Sequence, residues 1–205
     1  PRIDLRLQVN GSRVRAGVRA WAKGVEMPLQ ASLDIDRVRG DGRMYAGARS
    51  IDLEGWSSLL RWQGVMLTAG QGRAQTWLQL QGHRVVAVTS ISDLRDVELR
   101  PVSPVAGAAA EVRFERLRQR SRFERKGEGW TLQVPKLSWT QAGQQTQMGG
   151  IAVRRDGERW AAQARHLALG PLLQVADLSD RVPGGLRRWL GRVRPGGYLD
   201  EVKAN

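Results

Sequence analysis

The sequence contains no cysteine and only two histidines, His83 and His166. The absence of cysteine excludes disulfides, thiol catalysis and thiolate zinc sites, although it does not identify a cellular compartment. Neither histidine has a second histidine at the spacing of a metal-ligand pair, which argues against a metal site. Because no Gly-x-Ser-x-Gly motif or other catalytic constellation occurs, the sequence predicts neither an enzyme nor a cofactor.

Long apolar runs are also missing. No stretch of 18 apolar residues occurs among the 205 residues, so nothing in the chain predicts a membrane-spanning helix. The N-terminus lacks the pattern of a secretory signal, and Pro1 is not a natural start. We therefore interpret the chain as a piece of a longer protein whose targeting signal lies elsewhere.

Lysine is scarce, since only four of the 33 cationic residues are lysines, yet the net charge is +13. A basic surface favours anionic partners such as nucleic acid or phospholipid headgroups, although simply solvated arginines are the alternative. The clearest charged feature is a ladder of four arginines on one strand face. We expect acids on a neighbouring strand to pair with it, because stacked like charges repel, and contact with phosphate groups is the alternative. These arginines are Arg116, Arg118, Arg120 and Arg122.

Two other patterns resemble ligand sites without completing them. Asp34, Asp36 and Asp41 resemble the start of a calcium loop but lack its later glutamate, so a solvated strand face is predicted instead. The glycine pairs at 40–42 and 70–72 precede no helical pattern, so they predict turns rather than phosphate loops.

Alternation of apolar and polar residues is the main pattern that the sequence does contain. It is clearest over residues 70–100, where two alternating runs flank a turn at residues 82–83, as in an antiparallel hairpin. Side chains two positions apart share one face of a strand, so each run has an apolar face and a wet face. The apolar positions are Ala74, Thr76, Leu78 and Leu80 in the first run and Val85, Ala87, Ile91, Val97 and Leu99 in the second.

The same device recurs along the chain and predicts the fold class. We expect a mainly β protein with a long, curved, trough-like antiparallel sheet of repeated hairpins and two or three short helices. The helices are predicted in residues 54–62 and from Gly170 and Pro183 onward, before a further strand beginning at Tyr198. A change of phase at Pro135 predicts a bulge or an edge strand.

The helix after Pro183 has a basic face and an apolar stripe. Such a helix caps a sheet in one interpretation and lies on a membrane surface in the other. The stripe consists of Leu186, Trp189, Leu190 and Val193.

Residues 101–110 carry little pattern and divide the chain into two predicted modules. The first, residues 1–100, is a β-meander with one short helix. The second, residues 111–205, ends in two short amphipathic helices and the start of a further strand. Residues 50–56 and 166–171 both lead from a strand end into a helix, which indicates a sheet that grows by repetition.

Several segments, taken in order, resemble the AsmA-like superfamily of large bacterial envelope proteins, and most closely its YhdP-type members. The segments are GRAQTWL at 72–78, GHRVVAV at 82–88, DLRDVEL at 93–99, GEGWTL at 127–132, LGPLL at 169–173 and PGGYL at 195–199. Residues 1–69 match only in style. The resemblance implies a curved sheet in the periplasmic portion of a protein anchored in the inner membrane by parts outside this chain.

The resemblance also implies a function, namely a segment of a bridge-like lipid-transfer protein between the inner and outer membranes. An apolar β-groove would then take phospholipid acyl chains, unless the apolar faces close on each other as an ordinary core. The predicted groove residues are Val14, Val18, Leu29, Leu33, Leu78, Leu80, Val85, Ala87, Ile91, Val97 and Leu99. The alternatives are an envelope scaffold that binds proteins at a sheet edge, and a basic nucleic-acid-binding domain, although the few aromatics argue against nucleic acid.

Overall fold

The computed structural model describes residues 2–21, 27–62, 64–103, 110–182, 184–193 and 196–204, and these residues form one large sheet with short helices. The strands are β1 (Arg2–Asn10), β2 (Arg13–Trp21), β3 (Leu29–Asp36), β4 (Asp41–Asp52), β5 (Arg61–Trp62), β6 (Val65–Gln81), β7 (Arg84–Pro101), β8 (Val112–Lys126), β9 (Gly129–Gln141), β10 (Gln144–Asp156), β11 (Arg159–Ala168) and β12 (Tyr198–Ala204). The helices are a 3-10 helix (Glu54–Leu59), α1 (Leu169–Asp177) and α2 (Gly184–Val193). The predicted fold class, a curved antiparallel sheet with short helices, is confirmed.

Strand order in the sheet follows chain order. Eleven strands run β1-β2-β3-β4-β6-β7-β8-β9-β10-β11-β12, each antiparallel to its neighbours, while the short β5 pairs with the start of β6. Apart from β5, each strand therefore hydrogen-bonds to the strands that precede and follow it on this path. β7 and β8 pair across the division at residues 101–110, of which 104–109 lie outside the described residues, and the two-module division remains a prediction.

The two ends of the strands differ in their connections. At one end, which we call the turn end, tight turns join successive strands at residues 11–12, 37–40, 82–83, 127–128 and 157–158. At the other end, the helical end, lie the 3-10 helix, α1 and α2. The predicted helix in 54–62 is thus a 3-10 helix. Pro183 and the side chains of Leu186 and Leu190 lie outside the described residues, so both interpretations of the α2 stripe remain open.

The densest packing is found at the helical end. Met148, Leu178 and Val97 are fully buried there, and Leu172 and Val175 of the α1 helix pack against the same cluster. Burying one large aliphatic side chain stabilises a fold by about 1.5–3 kcal/mol, so this cluster fastens α1 to the sheet. Its buried members are Leu53, Leu94, Val97, Val112, Phe114, Trp139, Met148, Ala168 and Leu178.

Strand pairing shifts register at five places in the sheet, and two of these, at Pro135 in β9 and at Val86 in β7, change the side-chain phase near the predicted groove residues. In β9, Gln133 pairs with Arg122 but Lys136 pairs with Arg120, so two residues of β9 lie opposite one residue of β8. Pro135 is one of the two, which confirms the predicted bulge, since proline lacks the N–H that regular pairing needs. The extra residue returns the apolar side chains on both sides of it to the same face of the sheet.

The second bulge lies in β7. Leu80 of β6 pairs with Val85, whereas Gln79 pairs with Ala87, so Val86 is the additional residue. A single extra residue in a strand exchanges the faces of all the residues that follow it. Val85 therefore shares a face with Val88 and not with Ala87.

Candidate functional site

One face of the sheet carries an unbroken line of apolar side chains, which we call the apolar row. Each of the eleven strands on the main path contributes one residue, and consecutive members are paired in register. Ten steps of about 4.8 Å between strands give the row a length of roughly 48 Å. Its members are Leu7, Ala16, Leu33, Met44, Leu78, Val88, Phe123, Leu132, Val153, Ala162 and Ala204.

No member of the apolar row is buried. Leu7 is 61% exposed and Met44 is 38% exposed, and Leu33, Leu78 and Leu132 are half-buried. Their partial burial comes from neighbours in the same sheet, because the helices and the buried cluster are at the helical end. The row is therefore an apolar surface that is open along its length within the described part of the chain.

The row beside it, nearer the turn end, is apolar in the first half of the sheet. It consists of Val9, Val14, Ile35, Gly42, Leu80 and Val85. On the other side of the apolar row, strands β6, β7 and β8 carry hydroxyl groups instead, on Thr76, Ser90 and Ser121. The Thr76 hydroxyl lies 3.5 Å from that of Ser90, and the Gln119 amide donates a hydrogen bond of 2.9 Å to Ser90. These polar groups satisfy one another, which lowers the cost of placing them on an apolar face.

The opposite face of the sheet is charged. Arg116 of β8 binds Asp93 of β7 through two hydrogen bonds of 2.9 Å, and Arg118 lies 3.3 Å from the same carboxylate. The hydrogen bond from Arg116 lowers the pKa of Asp93 below its usual range, against the opposing effect of burial. The predicted pairing of the arginine ladder with acids is confirmed for these two arginines, and Arg122 pairs with Glu124 of its own strand.

The aspartates that resemble part of a calcium loop belong to the same charged face or to a turn. Asp34 binds Arg13 at 2.7 Å, and that hydrogen bond lowers its pKa. Asp36 accepts backbone hydrogen bonds from Val38 and Arg39, and Arg39 is the largest contributor that lowers its pKa to about 2. Among the described residues, no group of three or more histidine, cysteine or acidic residues is arranged to hold a metal ion.

The two histidines have local partners. The Nε2 atom of His83 lies 3.1 Å from the carbonyl oxygen of Arg37 at the turn end. The Nδ1 atom of His166 lies 2.6 Å from Asp200, and its ring stacks on Tyr198 with 4.6 Å between the centroids. Both histidines therefore join neighbouring segments of the sheet.

Seven of the eleven predicted groove residues share the face of the apolar row. Leu33 and Leu78 belong to the row itself, four of the others lie in the rows beside it, and Leu29 lies one row further toward the helical end. The seven are Val14, Val18, Leu29, Leu33, Leu78, Leu80 and Val85.

The other four lie elsewhere, which corrects the expectation that all the apolar positions of the hairpin share one face. Ala87 pairs with Gln79 and Ile91 pairs with Gln75, so both lie on the charged face, because the bulge at Val86 reverses the phase of β7. Val97 is fully buried in the cluster at the helical end, and Leu99 packs against that cluster. Val97 therefore offers no open surface to a ligand, and Leu99 is half-buried beside the cluster rather than on the apolar row.

The apolar row also includes residues that sequence reasoning did not select. Phe123, Leu132, Val153 and Ala162 continue it through β8 to β11. Each could have been found from the alternation within its own strand. Joining them to Leu78 required the register between neighbouring strands, which alternation within one strand does not provide.

Comparisons with known proteins give the chain a family. None of the helices in the described residues is long and apolar enough to span a bilayer. No curated protein and no solved structure matches the chain. A family model described as YhdP protein matches residues 2–205, which confirms the resemblance to YhdP-type AsmA-like proteins. The chain therefore belongs to the YhdP protein family, which is associated with the cell envelope.

Proposed function

We propose that this chain is a segment of a bridge-like lipid-transfer protein that offers its apolar face to phospholipid acyl chains. The segment would lie in the periplasm, within a protein anchored in the inner membrane, and would carry lipid between the inner and outer membranes. The observation that carries the proposal is the apolar row, which crosses every strand of the main path without interruption by a charge. Family membership supports the same function.

The energetics favour a surface of this kind. An acyl chain in water costs about 0.8 kcal/mol per CH₂, so a chain of ~16 carbons costs on the order of 12 kcal/mol. Contact with an apolar face removes part of that cost. Because each strand contributes an apolar residue to the row, a chain that slides from one strand to the next exchanges equivalent contacts. Such movement needs no catalytic residue and no cofactor.

The polar features of the sheet agree with this role. The ion pairs of Asp93 and Asp34 lie on the opposite face, away from the proposed path of the acyl chains. Among the described residues, the helices lie at the helical end of the sheet, so the row is accessible from the turn end. Lipid headgroups would stay in water near the ends of the strands.

Photo-crosslinking in the native envelope tests the proposal. A probe at Leu80 or Leu132 lies on the apolar face, whereas a matched probe at Gln79 or Thr131 lies on the charged face of the same strand. We expect phospholipid to be attached at Leu80 and Leu132 and not at Gln79 or Thr131. A folded protein that attaches no lipid from any of the four positions would contradict the proposal.

A scaffold that binds proteins by strand addition is the second candidate, and one observation favours it. All nine residues of β1 are exposed, and one side of this strand has no partner among the described strands. An edge strand of this kind can accept another strand through its backbone groups. A probe at Leu5 that attaches a protein, together with apolar-face probes that attach no lipid, would favour the scaffold.

A further inference from the structure

The row nearest the turn end changes character halfway across the sheet. From β1 to β7 it is apolar, as described above. From β8 to β11 the same position, one step beyond the apolar row, alternates between arginine and tryptophan. The four paired residues, which we call the Arg–Trp row, are Arg125, Trp130, Arg155 and Trp160.

The register places this row on the apolar face. Arg125 lies two residues from Phe123, and Trp130 lies two residues from Leu132, both members of the apolar row. Side chains two apart in a strand point the same way, so the guanidinium and indole groups border the apolar surface directly. Three steps of about 4.8 Å make the Arg–Trp row roughly 14 Å long.

The aromatic side chains form a connected group with the apolar row. The ring centroids of Phe123 and Trp130 are 6.0 Å apart, and those of Trp130 and Trp160 are 5.3 Å apart with an edge-to-face angle of 84°. Trp160 is nevertheless 51% exposed. A large aromatic ring that is half exposed next to an apolar surface is typical of sites that bind an amphiphile at the junction between its apolar chain and its polar headgroup.

The arginines of the row are available to an anion. The guanidinium of Arg155 lies 5.4 Å from the centroid of the Trp160 ring, and its Nε donates a hydrogen bond of 2.8 Å to the carbonyl oxygen of Gly157. Among the described residues, neither Arg125 nor Arg155 forms an ion pair with a carboxylate. In β8 and β10, Glu124 pairs with Arg122 and Asp156 pairs with Arg154, and both pairs lie on the other face.

We propose that the Arg–Trp row binds the anionic headgroup of a phosphate-bearing amphiphile whose chain lies on the apolar row. Guanidinium groups form charge-assisted, bidentate hydrogen bonds with phosphate oxygens, while the indoles cover the first methylenes of the chain. The inference rests on the proposed function and adds to it the location of the headgroup on the sheet and a preference for anionic headgroups. The first half of the sheet, where this position is apolar, would show no such preference.

Calorimetric titration with three probes tests the inference: decyl phosphate and decanol below their aggregation limits, and inorganic phosphate. The test variant is the double substitution Arg125→Gln and Arg155→Gln. The matched control is Arg120→Gln with Arg154→Gln, which removes the same charge from the same two strands on the opposite face.

We expect decyl phosphate to bind the original chain more tightly than decanol, and inorganic phosphate to bind far more weakly. The test variant should lose about tenfold or more in affinity for decyl phosphate, because both guanidinium donors to the phosphate are removed. Its affinity for decanol should stay within about twofold, and the control should resemble the original chain.

The other outcomes separate this inference from the proposed function. If decyl phosphate and decanol bind alike, or if both double variants lose affinity equally, the headgroup site is refuted while the apolar face stands as a lipid surface. If inorganic phosphate binds as tightly as decyl phosphate, the row is an anion site unrelated to lipid. If neither amphiphile binds the folded chain, the proposed function itself fails, and the inference fails with it.

Discussion

The helical end and the open face are made from the same strands, yet their side chains end up in different surroundings. In β7, Leu94 is 4% exposed at the helical end, while Val88, six residues away, is half-buried on the open face. In β9, Trp139 is 4% exposed and Leu132 is half-buried. The strand pattern is similar in both regions. The difference comes from the connections, because helices lie over the sheet at one end and only tight turns join the strands at the other.

The helical end and the open face therefore have different roles in the molecule. The helical end resembles the core of an ordinary globular domain, where packing is dense and loss of volume is costly. The open face keeps its apolar side chains uncovered, so its strands must be held by backbone pairing and by the charged face behind them. Stability and ligand contact are therefore expected to respond to different substitutions, and the following predictions test that separation.

The largest effect is expected at the helical end. Leu178→Ala removes a fully buried side chain that fastens α1 to the sheet, and should lower the free energy of unfolding by about 2–5 kcal/mol. Leu78→Ala is the matched control on the open face, where a half-buried side chain should cost about 1 kcal/mol or less. Urea denaturation followed by circular dichroism measures both. Equal losses from the two substitutions would contradict the difference in packing between the helical end and the open face.

The second effect concerns ligand contact rather than stability. Leu132→Asp places a charge in the middle of the apolar row, and an acyl chain would have to strip water from it, which costs several kcal/mol. Lipid attached from a probe at Leu80 should fall by about tenfold. Thr131→Asp, on the charged face of the same strand, should leave the yield unchanged. A yield that Leu132→Asp does not reduce would contradict a path along the row.

The third effect tests the charged face. Asp93→Asn removes the carboxylate that pairs with Arg116 and Arg118, and should lower the free energy of unfolding by about 1 kcal/mol at low salt. Most of the loss should disappear at 1 M salt, where exposed ion pairs are screened. Asp4→Asn, which breaks an exposed pair with Arg2 in the edge strand, should cost less. Denaturation at the two salt concentrations measures these differences.

The smallest effect is expected at the turn end and depends on pH. The pKa of Asp36 is lowered to about 2, first by the backbone N–H of Arg39. Its carboxylate therefore stabilises the fold above pH 4, and this contribution is lost as the pH falls through about 2. Asp36→Asn should be the less stable protein at neutral pH, and the difference should vanish near pH 2. A constant difference from pH 7 to pH 2 would refute this role.

Much of the fold could be predicted because alternation and turn residues are local signals. The turn at residues 82–83 lies where the sequence predicts it, and the helix predicted from Gly170 onward begins one residue earlier, at Leu169. The bulge at Pro135 was predictable as well, since proline interrupts a regular strand in only a few ways.

The surroundings of individual side chains were less predictable. Ala87 and Ile91 lie on the charged face because one extra residue, Val86, shifts the side-chain phase of β7. No local sequence signal predicts this bulge. Val97 is buried because Leu178 and Met148, which are distant in the chain, join its cluster. The Arg–Trp row could not be predicted from the sequence either, because its members come from four strands and are brought together only by the register between them.

The order of the strands has a mechanical consequence. Every strand on the main path hydrogen-bonds only to its neighbours in the chain, so tension applied across β1 and β12 acts on an edge strand first and then on the next. Under such a load the sheet would lengthen by successive release of strands rather than rupture in one event. A released strand of ten residues adds up to about 33–36 Å of chain. The sheet would therefore extend strand by strand under load, and released strands would pair again with the strands that are still in place.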